Sequence, residues 1–343
     1  MRTTLRRSIL AGAAALAVVV GIALIHPASA AAGSTTEATV FYPNPVQQLG
    51  IQTLTDQKDA DYAALAPAYR RVTLTDLDGS GRLAGRYVTV KSETGNPVQV
   101  SGPTLPDWHR DADEFEQVMG YYWITTAQQY LQHLGFGSRF RAINQPIDLR
   151  INQYGGDNSF FRDKKIEITL GKGGVDDAED AEVIVHEYGH AVHHMQVPGF
   201  GTNLESGAIG EAFSDYLAVA VTSWRTGVPT KAPEACVADW DAVSYTSTEP
   251  HCLRRIDRDK HYPEDMVGSV HRDGEIWSRA LYDIRAALGD TAGSGVIIEA
   301  QFGFAPDTSF RAAAEQTVAT AQRLYGARAA SSVQAAFAAR GIL

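Results

Sequence analysis

Cysteine is nearly absent from this 343-residue chain: there are two, Cys236 and Cys252. A Cys-based structural zinc module needs more ligands than that, so it is excluded. An even pair at short spacing reads instead as one disulfide stapling a surface excursion of an exported protein. Basic charge is also scarce. Thirty Lys and Arg stand against forty Asp and Glu, a formal charge of -10. That balance argues against nucleic acid or an anionic membrane surface as a partner. There is no internal repeat, and no low-complexity segment beyond alanine enrichment. What is present is ordinary for a globular protein with a real core, 44% hydrophobic and 20% charged residues. The length leaves room for one large domain or two moderate lobes.

The first thirty residues stand apart. Arg2, Arg6 and Arg7 precede an apolar run from Ile9 to Ile25, and Ala28 and Ala30 then occupy the small-residue positions of a cleavage site. Basic start, apolar middle and A-x-A end predict an export signal over residues 1–30 and a secreted, extracellular product. The apolar run is marginal for a membrane anchor, so no stable membrane association is expected once the signal is gone. Removing its three arginines takes the charge from -10 to -13. The pair in "RRSIL" is also half of a twin-arginine signal, and five residues do not separate the two export routes.

Residues 31–115 mix short β-type runs with polar and Pro-containing breaks, which predicts a strand-rich region with room in it for a pro-segment. "DLDGSG", Asp76 to Gly81, opens like a calcium loop, but its twelfth position is Tyr87 where a bidentate Glu is needed, so it reads as a turn. Residues 116–195 begin with helical spacing up to a stop at Gly135. They continue through two or three alternating strands in "IDLRINQYGGDNSFFRDKKIEITLGKGG" and finish in a second helix. The acids Asp176, Asp177, Glu179 and Asp180 read as the solvated start of that helix, where carboxylates favour the N-terminal dipole. They leave structural Ca2+ open, although no loop has convincing ligand spacing for it. Residues 196–343 are helical in pattern.

The second helix carries "VIVHEYGHAVHHM". His186 and His190, four apart, project from one helical face and can share one metal ion. Glu187 swings its carboxylate beside that ion without ligating it, which suits a base taking a proton from metal-bound water. A third ligand decides the class. The metzincin pattern needs Gly and His three and six residues past His190, and here those places hold His193 and Gln196. His193 and His194 on the next turn would have to stretch around the ion, and they read as solvated or hydrogen-bonded side chains. Downstream, "GAIGEAFSDYLA" offers Glu211 as a hard oxygen ligand and, on the same face, Asp215 to accept the second ring N–H of a ligating His. Two His and one Glu with an open fourth position is the donor set of a catalytic zinc.

"HEYGHAV" followed by "GAIGEAFSDY" resembles the thermolysin-like metallopeptidases and their relatives the fungalysins. Further segments from about residue 115 onward are similar in the same order. "YYWITTAQQYLQHLGF" is similar to the family's helix before the catalytic part. "DNSFFRDKKIEITLG" is similar to its edge strand, which implies Asn158 and Ser159 as grips on substrate backbone. "LRRIDRDKHYP" implies Arg254 as a substrate-binding arginine. "GSVHRDGEIWSRALYDI" implies a catalytic His271, with the "VH..GEIW" form closest to the fungalysins. The resemblance implies an α+β fold in two lobes, strand-rich then mainly helical, with the zinc helix on the floor of the cleft between them. It further implies one catalytic Zn2+ held by His186, His190 and Glu211, Glu187 as base, and protein or peptide substrates of a monomeric endopeptidase.

Two departures qualify it. No Tyr lies between Ala191 and Gly210, where family members often place one, which leaves His271, Tyr245 or Tyr262 to take its part. The long pro-region is also missing. Asp265 or Glu264, just before His271, is expected to orient that imidazole. Alternatives of other kinds are an inactive binding relative, and a narrow-specificity zinc aminopeptidase, which would need an acidic cluster near the cleft to hold a free amine.

Overall fold

The computed structural model describes residues 34–137, 143, 145–227 and 231–343, so the expected export signal lies outside the described residues. β1 (Ser34–Phe41) buries Thr36 and then every residue from Ala38 to Phe41, and it pairs antiparallel with β2 (Tyr69–Leu77). Between them runs α1 (Pro45–Leu49), opened by Asn44, whose side chain accepts from Gln47 N, and by Pro45 at its first turn. β3 (Val88–Ser92) leads through a long connection into α2 (Asp113–His133). Asp113, Glu114 and Glu116 favour the start of α2, and Gly135 at φ +95° follows its end. "DLDGSG" forms a turn, with Ser80 N donating to Asp78 and glycines 79 and 81 at positive φ.

Where two or three strands were expected after α2 there are three, β4 (Ile147–Tyr154), β5 (Phe160–Arg162) and β6 (Glu167–Gly171). With β3 they make a sheet of order β3-β4-β6-β5, parallel throughout except for β5, which is antiparallel and lies at the edge. α2 packs on this sheet because Gly120 lets the helix backbone close on β4. A Cβ there would sit 2.4 Å from Leu149 Cδ2. Then come α3 (Ala181–Gln196), α4 (Leu204–Thr226), the two-residue strands β7 (Cys236–Val237) and β8 (Arg254–Arg255), and four more helices: α5 (Val270–Leu288), α6 (Asp290–Gln301), α7 (Phe310–Tyr325) and α8 (Ala327–Ala338). The architecture is α+β, strands first and helices after. Cys236 and Cys252 form the expected disulfide, closing the loop that separates β7 from β8.

The acidic run before α3 is not a solvated helix start. Asp176, Asp177, Glu179 and Asp180 are all buried. Asp180 caps α3 by accepting from Glu182 N at 2.9 Å, and it also accepts from Trp240 N, Asp241 N and Asn44 Nδ2. Glu179 lies against the fully buried Arg110, whose Nε donates to it at 2.9 Å, and takes a further bond from Trp240 Nε1. Arg110 is also held by Asp56 at 2.6 Å. The polar composition of this stretch suggested water, but partners from residues 44, 56, 110 and 240 replace it.

Candidate active site

α3 is apolar almost all round, with Val183, Ile184, Val185, Tyr188, Ala191 and Val192 buried, so it runs through the interior rather than along a surface. Gly189 brings it against α4, since a Cβ there would meet Ser214 Cα at 2.7 Å. This close approach faces His186 and His190 of α3 toward Glu211 and Asp215 of α4. Both pairs are four apart, so each helix presents two side chains on one face.

Donor atoms of His186, His190 and Glu211 all lie within 4.8 Å of one another. The two Nε2 atoms are 3.2 Å apart. His186 Nε2 is 3.4 Å from Glu211 Oε2, and His190 Nε2 is 3.6 Å from Glu211 Oε1. Glu211 Oε2 and Glu187 Oε2 are enclosed yet have no hydrogen-bond partner. Two imidazoles and a carboxylate aimed at one point, beside an orphaned acceptor, fit a tetrahedral zinc ion with one open position.

The electrostatics favour a cation there. Burial alone would push His186 down, but the Asp215 charge and its hydrogen bond to Nδ1 (2.7 Å) raise it to about 10. Asp215 thus fixes the tautomer and leaves Nε2 to hold either a proton or a metal ion. Burial takes His190 down to about 4, keeping it neutral as a ligand must be. Glu211 resists its burial through the neighbouring histidines and falls to about 2, and so stays an anionic oxygen donor. Burial lifts the Glu187 carboxyl to about 7, where a group can both take and return a proton.

Arg254 grips Asp215 with two bonds, Nε at 2.6 Å and Nη2 at 2.7 Å, while its Nη1 makes no hydrogen bond to another described residue. His271 lies at the start of α5, more than half exposed, with Nε2 3.2 Å from Glu211 Oε2, and burial lowers its pKa. Asn158 and Ser159 lie just before the edge strand β5. They line the same cleft of about 570 Å³ as the zinc-type residues. Of the two stand-in tyrosines, Tyr245 lines this cleft, whereas Tyr262 donates to Glu205 at 3.0 Å.

Asp265 does not orient His271. Its carboxylate accepts from His261 N at 2.7 Å and faces the His261 ring. The acid that shapes this part of the chain is Asp273, two residues after His271: it accepts from Val267, Gly268 and Ser269 N and so holds the turn that presents His271. Sequence reasoning missed it because it follows His271 by two positions inside the helix. A capping acid in the first turn was the available signal.

His193 is also not solvated or hydrogen-bonded. It is 2% exposed, both ring nitrogens lack partners, and it stacks on Phe200 with centroids 3.8 Å apart, beside Phe213. Burial lowers its pKa to about 3. A depressed His pKa means that the unfolded chain binds the extra proton, so this residue costs stability as pH falls from about 6.5 toward 3. His193→Phe should remove about 3 kcal/mol of the stability lost between pH 7 and pH 4. Denaturant unfolding of parent and variant at the two pH values checks it.

Residues 199–342 match the family model described as thermolysin metallopeptidase, alpha-helical domain. Extracellular metalloproteinase 4 of Trichophyton tonsurans is 30% identical over 129 residues, which is 34% of this chain and 19% of that protein. The same-named protein of Trichophyton soudanense is 30% identical over 129 residues, 31% of its length. The chain therefore spans less than a third of these curated relatives. The precursor of protealysin, a metalloproteinase from Serratia proteamaculans, shares the fold at a TM-score of 0.58 and 16% identity, over 78% of this chain and 92% of that one. In sequence over its C-terminal helices this chain is similar to the thermolysin-like and fungalysin-like metallopeptidases, and it shares their fold.

Proposed function

We propose that the chain is a zinc-dependent endopeptidase acting on proteins or peptides outside the cell. The observation that carries this reading is the convergence of His186, His190 and Glu211 on one point beside the Glu187 carboxylate, whose Oε2 has no hydrogen-bond partner among the described residues, at the wall of an open cleft. Zinc in such a site supplies Lewis acidity toward a carbonyl and a more acidic water.

The chain's own residues supply the rest. Glu187, held near neutrality, accepts a proton from the attacking water and returns it to the leaving amine. His271, on the exposed side of the cleft, is neutral and can offer an N–H to a developing oxyanion. Arg254 has its Nη1 free for a substrate carbonyl while Asp215 fixes its other edge. The edge strand β5 offers unpaired backbone groups along which an extended peptide can add as a further strand.

The homologues' names support an extracellular setting, and among the described residues no helix is long and apolar enough to cross a membrane. The aminopeptidase alternative gains one point, since an acidic cluster does stand in the cleft. Zinc-loaded protein lacking residues 1–30 should cut an unfolded protein at internal bonds. It should lose that activity to a chelator and regain it with added zinc. Cutting unaffected by chelation would overturn the proposal, and release of single N-terminal residues only would favour the aminopeptidase.

A further inference from the structure

Three aspartates from distant parts of the chain meet at the wall of the cleft, outside the His186–His190–Glu211 group, and two of them, Asp177 and Asp241, line it. Asp157 follows β4, Asp177 opens the turn before α3, and Asp241 follows β7. One carboxylate oxygen of each lies within 4.8 Å of the others. Asp177 and Asp241 are 2% and 3% exposed, and the Oδ1 atom of all three is enclosed without a hydrogen-bond partner. Among the described residues no Lys, Arg or His forms an ion pair with any of them. Arg254, the nearby cation, is committed to Asp215.

Asp177 and Asp241 line the same cleft as Glu187. Three carboxylates at this spacing repel one another, and burial raises all three pKa values. A cation entering the cluster would relieve both costs and satisfy three orphaned acceptors at once.

We propose that Asp157, Asp177 and Asp241 form a substrate subsite for a positively charged nitrogen group of a peptide: the ammonium or guanidinium of a Lys or Arg beside the scissile bond, or a free N-terminal amine. This rests on the peptidase reading and adds a substrate preference to it. An ammonium carries three N–H donors for three acceptors. A calcium ion would want six to eight oxygens. The two hydroxyls beside the cluster already donate to it, Ser159 Oγ to Asp177 and Tyr245 Oη to the Asp157 carbonyl, so the oxygens left for a further donor are the three Oδ1 atoms.

The test uses zinc-loaded protein and N-acetylated, internally quenched peptides identical except for Lys, Arg, Leu or Glu beside the cleaved bond. A free-amine version of the Leu peptide is added, and cleavage sites are mapped by mass spectrometry. The Lys or Arg peptides, or the free-amine peptide, should exceed the acetylated Leu peptide in kcat/KM by about tenfold or more. In Asp241→Asn that ratio should collapse toward one, with the variant folded by circular dichroism and its Tm at pH 8 equal or higher, since a repelling charge is gone. Lys or Arg preference assigns the side chain, and free-amine preference assigns the terminus.

Cleavage indifferent to charge, or a preference that survives in Asp241→Asn, would overturn the subsite while leaving the peptidase standing. One-to-one binding of calcium chloride by calorimetry, lost in Asp241→Asn, would overturn it in favour of a metal. Cleavage of none of the peptides would remove the peptidase reading and the subsite with it.

Discussion

Glu187→Gln should leave a folded chain that still holds one zinc ion and cuts an unfolded protein roughly a thousandfold more slowly. The substitution keeps the size and shape of a side chain that is 6% exposed, so packing of α3 is preserved. It removes the one nearby group poised near 7 to move a proton between water and amine. None of the three donor residues is altered, so metal content measured by atomic spectroscopy should stay at one ion per chain. Activity within tenfold of the parent would mean that the base is another group, and Glu187 would lose its assigned role.

Asp215→Asn should show the next largest effect, on two readouts at once. Asp215 accepts from Arg254 Nε and Nη2 and from His186 Nδ1, so one carboxylate orients a proposed metal ligand and neutralises a buried guanidinium. An amide can accept from one partner but carries no charge. Arg254 is then a buried cation without its counter-ion, at a cost of about 3–5 kcal/mol in denaturant unfolding. Zinc affinity, read by competition with a chelator, should fall about 10- to 100-fold because His186 loses the acceptor that fixes its tautomer.

The pH dependence has a definite sign. The Asp215 pKa is depressed in the fold by Arg254 and His186 against its burial. Its contribution is therefore present above the ordinary carboxylate range and is lost as pH falls, so parent and variant stabilities should draw together below about pH 4. Equal stabilities at pH 7 would show that Arg254 finds another partner.

The features legible in the sequence are those written at helical spacing. His186 with His190, and Glu211 with Asp215, need only the i, i+4 rule to share a face, and the strands after α2 need only alternation and turn residues. Features set by distant partners were not legible. Asp180 reads as a surface acid until Trp240 and Asn44 are seen donating to it. His193 reads as polar until the phenylalanines of α4 and its preceding loop close around it. Asp265 was chosen by nearness in sequence, but the chain turns at residues 267–269 and Asp273 does the holding. The aspartate cluster draws on residues 157, 177 and 241, a spacing without any periodicity to find.

The tethering of the α3 N terminus has a consequence for the order of events as the chain is made. Asn44 bonds Asp180 across 136 positions, Gln47 bonds Asp239 across 192, and Arg254 completes the far side of His186. Contacts so distant in sequence form late, because long loops must close before they repay their entropy. A nascent chain stopped short of residue 254 would own both histidines, Glu187 and Glu211 and still lack the frame that aims them. The proposed zinc site therefore matures only when nearly the whole polypeptide is available. On the proposed function, the growing chain would until then be protected from its own chemistry by incompleteness.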